Sequence, residues 1–121
     1  NIRLIMPSDI TFDTAQADIQ AGFYETLNSV AIVLKEYNKT TVTVAGHADA
    51  RGSDSYNLDL SQRRALSVSN YLASQGVNPG RLNATGYGET RPIGDNSTAS
   101  GQSLNRRVEI LIDPVESQFQ S

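Results

Sequence analysis

The stretch GHADARGSDSYNLDLSQRRA, residues 46–65, holds the only histidine of the chain together with three aspartates and three arginines. Two kinds of chemistry could use such a set. Carboxylates near a histidine can exchange protons or hold a cation, whereas a carboxylate beside a guanidinium can receive a ligand that itself carries both charges. The bland alternative is a solvated turn followed by an ordinary amphipathic helix.

Most catalytic options fail on residue types. His47 has no second histidine and no cysteine to complete a zinc set, and it is expected to be structural, its ring hydrogen-bonded at a strand end. DARGSD lacks the alternating acidic positions of an EF-hand loop and suits at most a loosely held cation. No Gly-x-Ser-x-Gly is present, and one histidine among scattered Asp and Ser makes a poor triad. GYGE is too short and wrongly placed to hold dinucleotide phosphates. A glycosidase needs two carboxyl groups flanking a sugar, and only the loop residues Asp49 and Asp13 offer themselves. No catalytic residue, metal or cofactor is expected.

A chain of 121 residues buries one core and forms one domain. With 38% hydrophobic and 19% charged residues it is globular in balance. Its net charge of −3 argues against a nucleic-acid partner. Four arginines fall late, Arg81, Arg91, Arg106 and Arg107, without exposed aromatics between them. The absence of cysteine removes disulfides and thiolate chemistry but assigns no compartment. No apolar run approaches the roughly 20 residues of a membrane helix, so a membrane is expected only through a tether outside this sequence. The opening Asn in place of Met suits an excised domain, with any signal peptide already missing.

The elements that must position the charges follow from periodicity. IRLIM at 2–6 reads as a strand ending at Pro7. Phe23, Leu27, Val30, Leu34 and Tyr37 step by four and three, predicting a helix over about 21–37. TTVTVAG at 40–46 alternates Val42 and Val44 with threonines, a strand. Ser53 is a good N-cap and Gly76 a good stop for a second helix. RLNATGYGE at 81–89 is a weaker strand, and RRVEILID at 106–113 a fourth. TRPIGDNSTASGQS between them reads as a loop. The order βαβαββ predicts an α/β (α+β) two-layer sandwich, a mixed four-stranded sheet with helices on one face. Residues 1–113 are the expected domain and 114–121 a flexible tail.

In such sheets ligands sit beyond the carboxyl ends of strands, which is where Asp49 falls, as an exposed loop side chain. On the second helix, at roughly 100° per residue, Leu58, Ser61, Ala65, Val68 and Leu72 share the sheet-facing arc. Asn57, Leu60 and Arg64 border it. Arg64 is thus expected at a rim, its stem packed and its guanidinium emerging near the strand end, while Arg63 points to solvent. A plain surface ion pair between Asp49 and Arg64 would stabilise little.

Residues 46–77 resemble the core signature of the OmpA-like domain: Gly46, His47, Asp49, Gly52, Asn57, Leu60, Ser61, Arg64, Ala65, Val68, Tyr71 and Leu72 match in order. ATGYGETRPIGDNSTASGQSLNRRVEI is similar to that family's later motifs and ITFDTAQADI to its entry into the first helix, so the likeness spans about 2–112. The resemblance is nearest to outer-membrane lipoprotein members. It implies a peptidoglycan-binding module rather than an enzyme, acting at the periplasmic face of the outer membrane of Gram-negative cells. It also implies a site for meso-diaminopimelate of the stem peptide at Asp49, Arg64, Asn57 and Arg106. The ligand's ammonium would meet Asp49 and its carboxylate Arg64. Three positions depart from the pattern: Ala48 for the usual Thr, Gln102 where an Arg often stands, and Ala15 in a loop left to contribute backbone groups. A wall-acting hydrolase and an inner-membrane stator-type anchor are the alternatives, and a dimer is among the assemblies the resemblance admits.

Overall fold

The computed structural model describes residues 1–115; residues 116–121, where most of the expected tail falls, lie outside the described part. Four strands, β1 (Ile2–Pro7), β2 (Thr40–His47), β3 (Leu82–Gly88) and β4 (Arg107–Pro114), form one sheet in the order β1-β4-β2-β3. β4 runs antiparallel to both β1 and β2, and β3 runs parallel to β2. The sheet is therefore mixed, as the sequence predicts. The N–H of Val115, just past β4, donates to the Lys39 carbonyl at 2.9 Å.

Two long helices cover one face. α1 (Ser8–Thr11) is a single turn after β1, and α2 (Tyr24–Glu36) follows a 3-10 turn at Ala21–Phe23. α3 spans Asp54–Ser74. Its N-cap is Ser53, whose hydroxyl accepts from the Tyr56 N–H at 3.1 Å. It ends in a left-handed Gly76 (φ +102°) that lets the buried Val77 N–H return to the Leu72 carbonyl. The core joins Leu27, Ala31 and Leu34 of α2 to Ala65, Val68 and Leu72 of α3 over Val42, Val44, Val108 and Ile110.

Three expectations need correction. Tyr37 is 66% exposed, because α2 stops at Glu36, and Ala31 completes the buried stripe instead. Leu58 is 51% exposed; the buried arc of α3 is rotated towards Asn57, Leu60 and Arg64. The expected loop at 90–103 holds a helix, α4 (Ala99–Asn105), capped by the Thr98 hydroxyl. Ser and Gly give α4 little intrinsic helicity, so tertiary contacts hold it. Asn105 at its end is fully buried, accepts from the Ile93 and Gly94 N–H groups at 2.7 Å each, and donates to the Gly94 carbonyl.

α3 lies unusually close to the sheet. A Cβ on Gly46 would stand 2.1 Å from the Ser61 carbonyl oxygen, and one on Gly86 would stand 2.4 Å from the Gln62 nitrogen. These two glycines are register partners on β2 and β3. The Gln62 side chain accepts from the Gly86 N–H at 2.6 Å and donates to the Ala84 carbonyl at 3.3 Å. It thereby acts as a surrogate strand along the β3 edge. Ser61 accepts from the Gly88 N–H at 2.9 Å. Gly46→Ala should therefore cost about 2–3 kcal/mol of stability by overpacking. Gly22→Ala, where nothing lies within 4 Å, should be neutral or slightly stabilising. Urea denaturation of the two variants compares them directly.

Candidate functional site

A cleft of about 610 Å³ opens where β1 and β2 end and β4 begins. All four residues singled out from the sequence line it: Asp49 from the loop after β2, Asn57 and Arg64 from α3, and Arg106 from the residue before β4. Asp9 and Asp13 close the cleft on the side of α1.

Asp49 is not the exposed loop residue expected. It is 5% exposed, and its carboxylate accepts four hydrogen bonds. The Arg51 backbone N–H donates to Oδ1 at 2.9 Å; Arg51 Nε (3.1 Å), Arg51 Nη2 (2.9 Å) and Arg106 Nη1 (2.6 Å) donate to Oδ2. Burial alone would raise its pKa, but the bonds from Arg51 and Arg106 outweigh it and hold the group ionised. Asp49→Ala therefore disturbs the fold, at roughly 1–3 kcal/mol for the donors left without a partner.

Arg106 bridges two carboxylates. Its Nε and Nη2 donate to both oxygens of Asp9, at 2.9 and 3.0 Å, while Nη1 holds Asp49. The Asp9 hydrogen bonds first, and those to Asp49 after the opposing effect of burial, raise the Arg106 pKa above its ordinary value. Asp9 is correspondingly depressed, chiefly by its hydrogen bond from Arg106.

Arg64 makes no ion pair with Asp49, nor with any carboxylate among the described residues. It is 7% exposed rather than emerging at a rim. Its stem packs as expected, but Nε donates to the Gln16 carbonyl at 2.8 Å and Nη2 to the Asp13 carbonyl at 3.3 Å. The guanidinium lies 4.9 Å from the Phe12 ring centroid. Burial lowers its pKa, yet an arginine stays charged. The 13–16 loop thus contributes backbone carbonyls, and Ala15 within it adopts a left-handed φ of 58°. Arg63, one residue away, is exposed and pairs with Asp59 at 2.8 Å.

Asn57 turns inward. Its Nδ2 reaches the carbonyls of Asp49 (3.2 Å) and Arg51 (2.8 Å) and the Glu89 carboxylate (3.0 Å). It fixes the loop that carries Asp49 and acts by positioning. Two charged residues of the cleft, Arg51 and Asp9, escaped the sequence reading. Arg51 could have been found, since an arginine two positions after Asp49 in a turn can fold back on it. Asp9 could not, because it meets Arg106 across 97 positions of chain.

The late arginines form no patch. Arg81 donates to the Leu34 and Tyr37 carbonyls at the end of α2, Arg107 is buried with Glu109 at 2.6 Å, and Arg91 covers Tyr87. His47 lies outside the cleft lining, stacked on Tyr87 with centroids 5.3 Å apart. Its expected hydrogen bond is absent at Nδ1, which is buried without a partner among the described residues. No group of three or more His, Cys, Asp or Glu among the described residues is placed to hold a metal. No helix among them is long and apolar enough to cross a membrane.

Fold and cleft together define a small mixed-sheet α/β module with a polar, charge-balanced cleft at the strand ends. The chain belongs to the OmpA family, whose model matches residues 11–106. It is 47% identical over 115 residues to the protein named "Probable lipoprotein YiaD" of Escherichia coli (strain K12), covering 95% of this chain and 52% of the relative. The chain thus spans about half the length of that relative. The cell wall anchor of the T6SS from Pseudomonas aeruginosa superposes with a TM-score of 0.84 at 34% identity, over 94% of this chain and 81% of that one. The peptidoglycan-associated lipoprotein from Burkholderia pseudomallei does so at 0.78 and 27%, over 86% and 88%.

His47 gives a pH test of the structure. Burial first, and Arg107 second, lower its pKa from 6.5 to about 4. The unfolded chain binds the proton more readily, so stability is full above pH 6.5 and is lost as pH falls towards 4. The expected loss is up to about 3 kcal/mol, at about 1.4 kcal/mol per pKa unit. Denaturant titrations across this window should show the slope in the wild type and its loss in His47→Gln.

Proposed function

We propose that the domain, residues 1–113, binds peptidoglycan without cleaving it, through the free end of meso-diaminopimelate in the stem peptide. The observation that carries this reading is Arg64: a charged guanidinium, 7% exposed, with no carboxylate partner among the described residues, in the same cleft as an ionised Asp49. A ligand end bearing an ammonium and a carboxylate on one carbon suits that pair. The carboxylate takes the donors Arg64 still has, and the ammonium takes Asp49. Arg106 and Asn57 hold Asp49 in place. Membership of the OmpA family and similarity to a cell wall anchor and a peptidoglycan-associated lipoprotein support the same reading. Similarity to that lipoprotein and to the YiaD protein supports a position at the periplasmic face of the outer membrane.

The domain should co-sediment with purified sacculi and release no soluble fragments; release would make it a hydrolase. Asp49→Asn and Arg64→Lys should lose most of the binding, while Arg63→Ala should retain it. Equal losses at Arg63 and Arg64 would reduce the contact to general positive charge.

Diaminopimelate-type and lysine-type muropeptides differ by the carboxylate assigned to Arg64. A buried arginine left without that partner costs about 1–3 kcal/mol, roughly a 5- to 150-fold preference for the diaminopimelate type. Calorimetric titration measures it, and Arg64→Ala should shrink it. Indistinguishable wild-type affinities would detach Arg64 from ligand recognition.

A further inference from the structure

The Asp49 carboxylate accepts four hydrogen bonds, three of them from Arg51. Three of the four fall on Oδ2, two of them from the Arg51 side chain, and one on Oδ1. A carboxylate oxygen offers about two lone-pair directions, so in this conformation Oδ2 has none left for an incoming ammonium. We propose that the Arg51 side chain is a latch: it occupies an ammonium subsite at Asp49 Oδ2 and must swing out before a cationic ligand group can dock on that oxygen. This rests on the diaminopimelate reading of the cleft and adds a competitor to it.

The two arginines on Asp49 are not equivalent. Arg106 is held by both oxygens of Asp9 as well, and its side chain is 25% exposed. Arg51 is 64% exposed at the side chain, and Asp49 is its only side-chain hydrogen-bond partner among the described residues. Its main chain, by contrast, is fixed. The N–H donates to Asp49 Oδ1 and the carbonyl accepts from Asn57 at 2.8 Å. The side chain can therefore leave while the loop stays in place, releasing Oδ2 on its Arg51 side and leaving Arg106 as a permanent wall. Because ion pairs with one exposed partner are weak, the closed form should outweigh the open one by only about two- to tenfold. Apparent affinity falls by the fraction of molecules that are open, whatever the ligand.

Calorimetric titration of the intact protein with diaminopimelate-type and lysine-type muropeptides tests this. Arg51→Ala should tighten both ligands by the same factor, about three- to elevenfold. Arg51→Lys, which keeps the charge but not the fork, should give a smaller gain. Unchanged or weaker binding in Arg51→Ala, or unequal factors for the two ligands, overturns the latch, because Arg51 would then be passive or a direct ligand contact. Binding indifferent to Asp49→Asn overturns the latch and the diaminopimelate reading together. Asp49-dependent binding that fails to tighten removes the latch alone.

Discussion

The distance between α3 and the sheet governs everything at the cleft. With Gly46 and Gly86 side by side on β2 and β3, the backbone at Ser61 and Gln62 rests almost on the strands. That single contact fixes the height and rotation of the helix. Four residues before Ser61 stands Asn57, which reaches the loop after β2; three residues after it stands Arg64, which reaches the loop before α2. A side chain at either glycine would lift the helix and separate the two loops from the residues that brace them. The geometry of the cleft thus depends on two missing methyl groups.

Charge balance is the second organising feature. Asp9, Asp49, Arg51 and Arg106 form a connected set of two anions and two cations, so the buried Asp49 charge is compensated within the cleft. Arg64 stands outside this set, satisfied in part by neutral carbonyls and an aromatic face. Carbonyl dipoles and a ring quadrupole orient a guanidinium without neutralising it. Arg64 therefore keeps unspent donors and no ion-pair partner among the described residues, the feature on which the proposed recognition of a carboxylate turns.

Much of this was legible in the sequence. Alternation gave β2, the four-three spacing gave α2, and Ser53 with Gly76 bounded α3, because caps and periodicity are local physics. The strand–helix order implied a mixed sheet, and the OmpA-like motif marked four residues that do line one cleft. α4 was not legible, because a segment of Ser and Gly has no helical preference until Asn105 ties its end to the Gly94 backbone.

Residue types and local order were thus set by the sequence itself: where a carboxylate, a guanidinium and a helix start fall along the chain. Only the tertiary structure decided which opposite charges meet. Asp49 pairs with Arg51 and Arg106 rather than Arg64, and Arg106 finds Asp9 from the far end of the chain. Ion pairing depends on distance in space and on burial, and neither is encoded in spacing once a sheet places β1 beside β4. The same holds for burial of Asp49 and Arg64. Helical angle brought Arg64 to the edge of the packed arc, but the loop that closes over it comes from residues 12–16, whose course only the folded chain fixes.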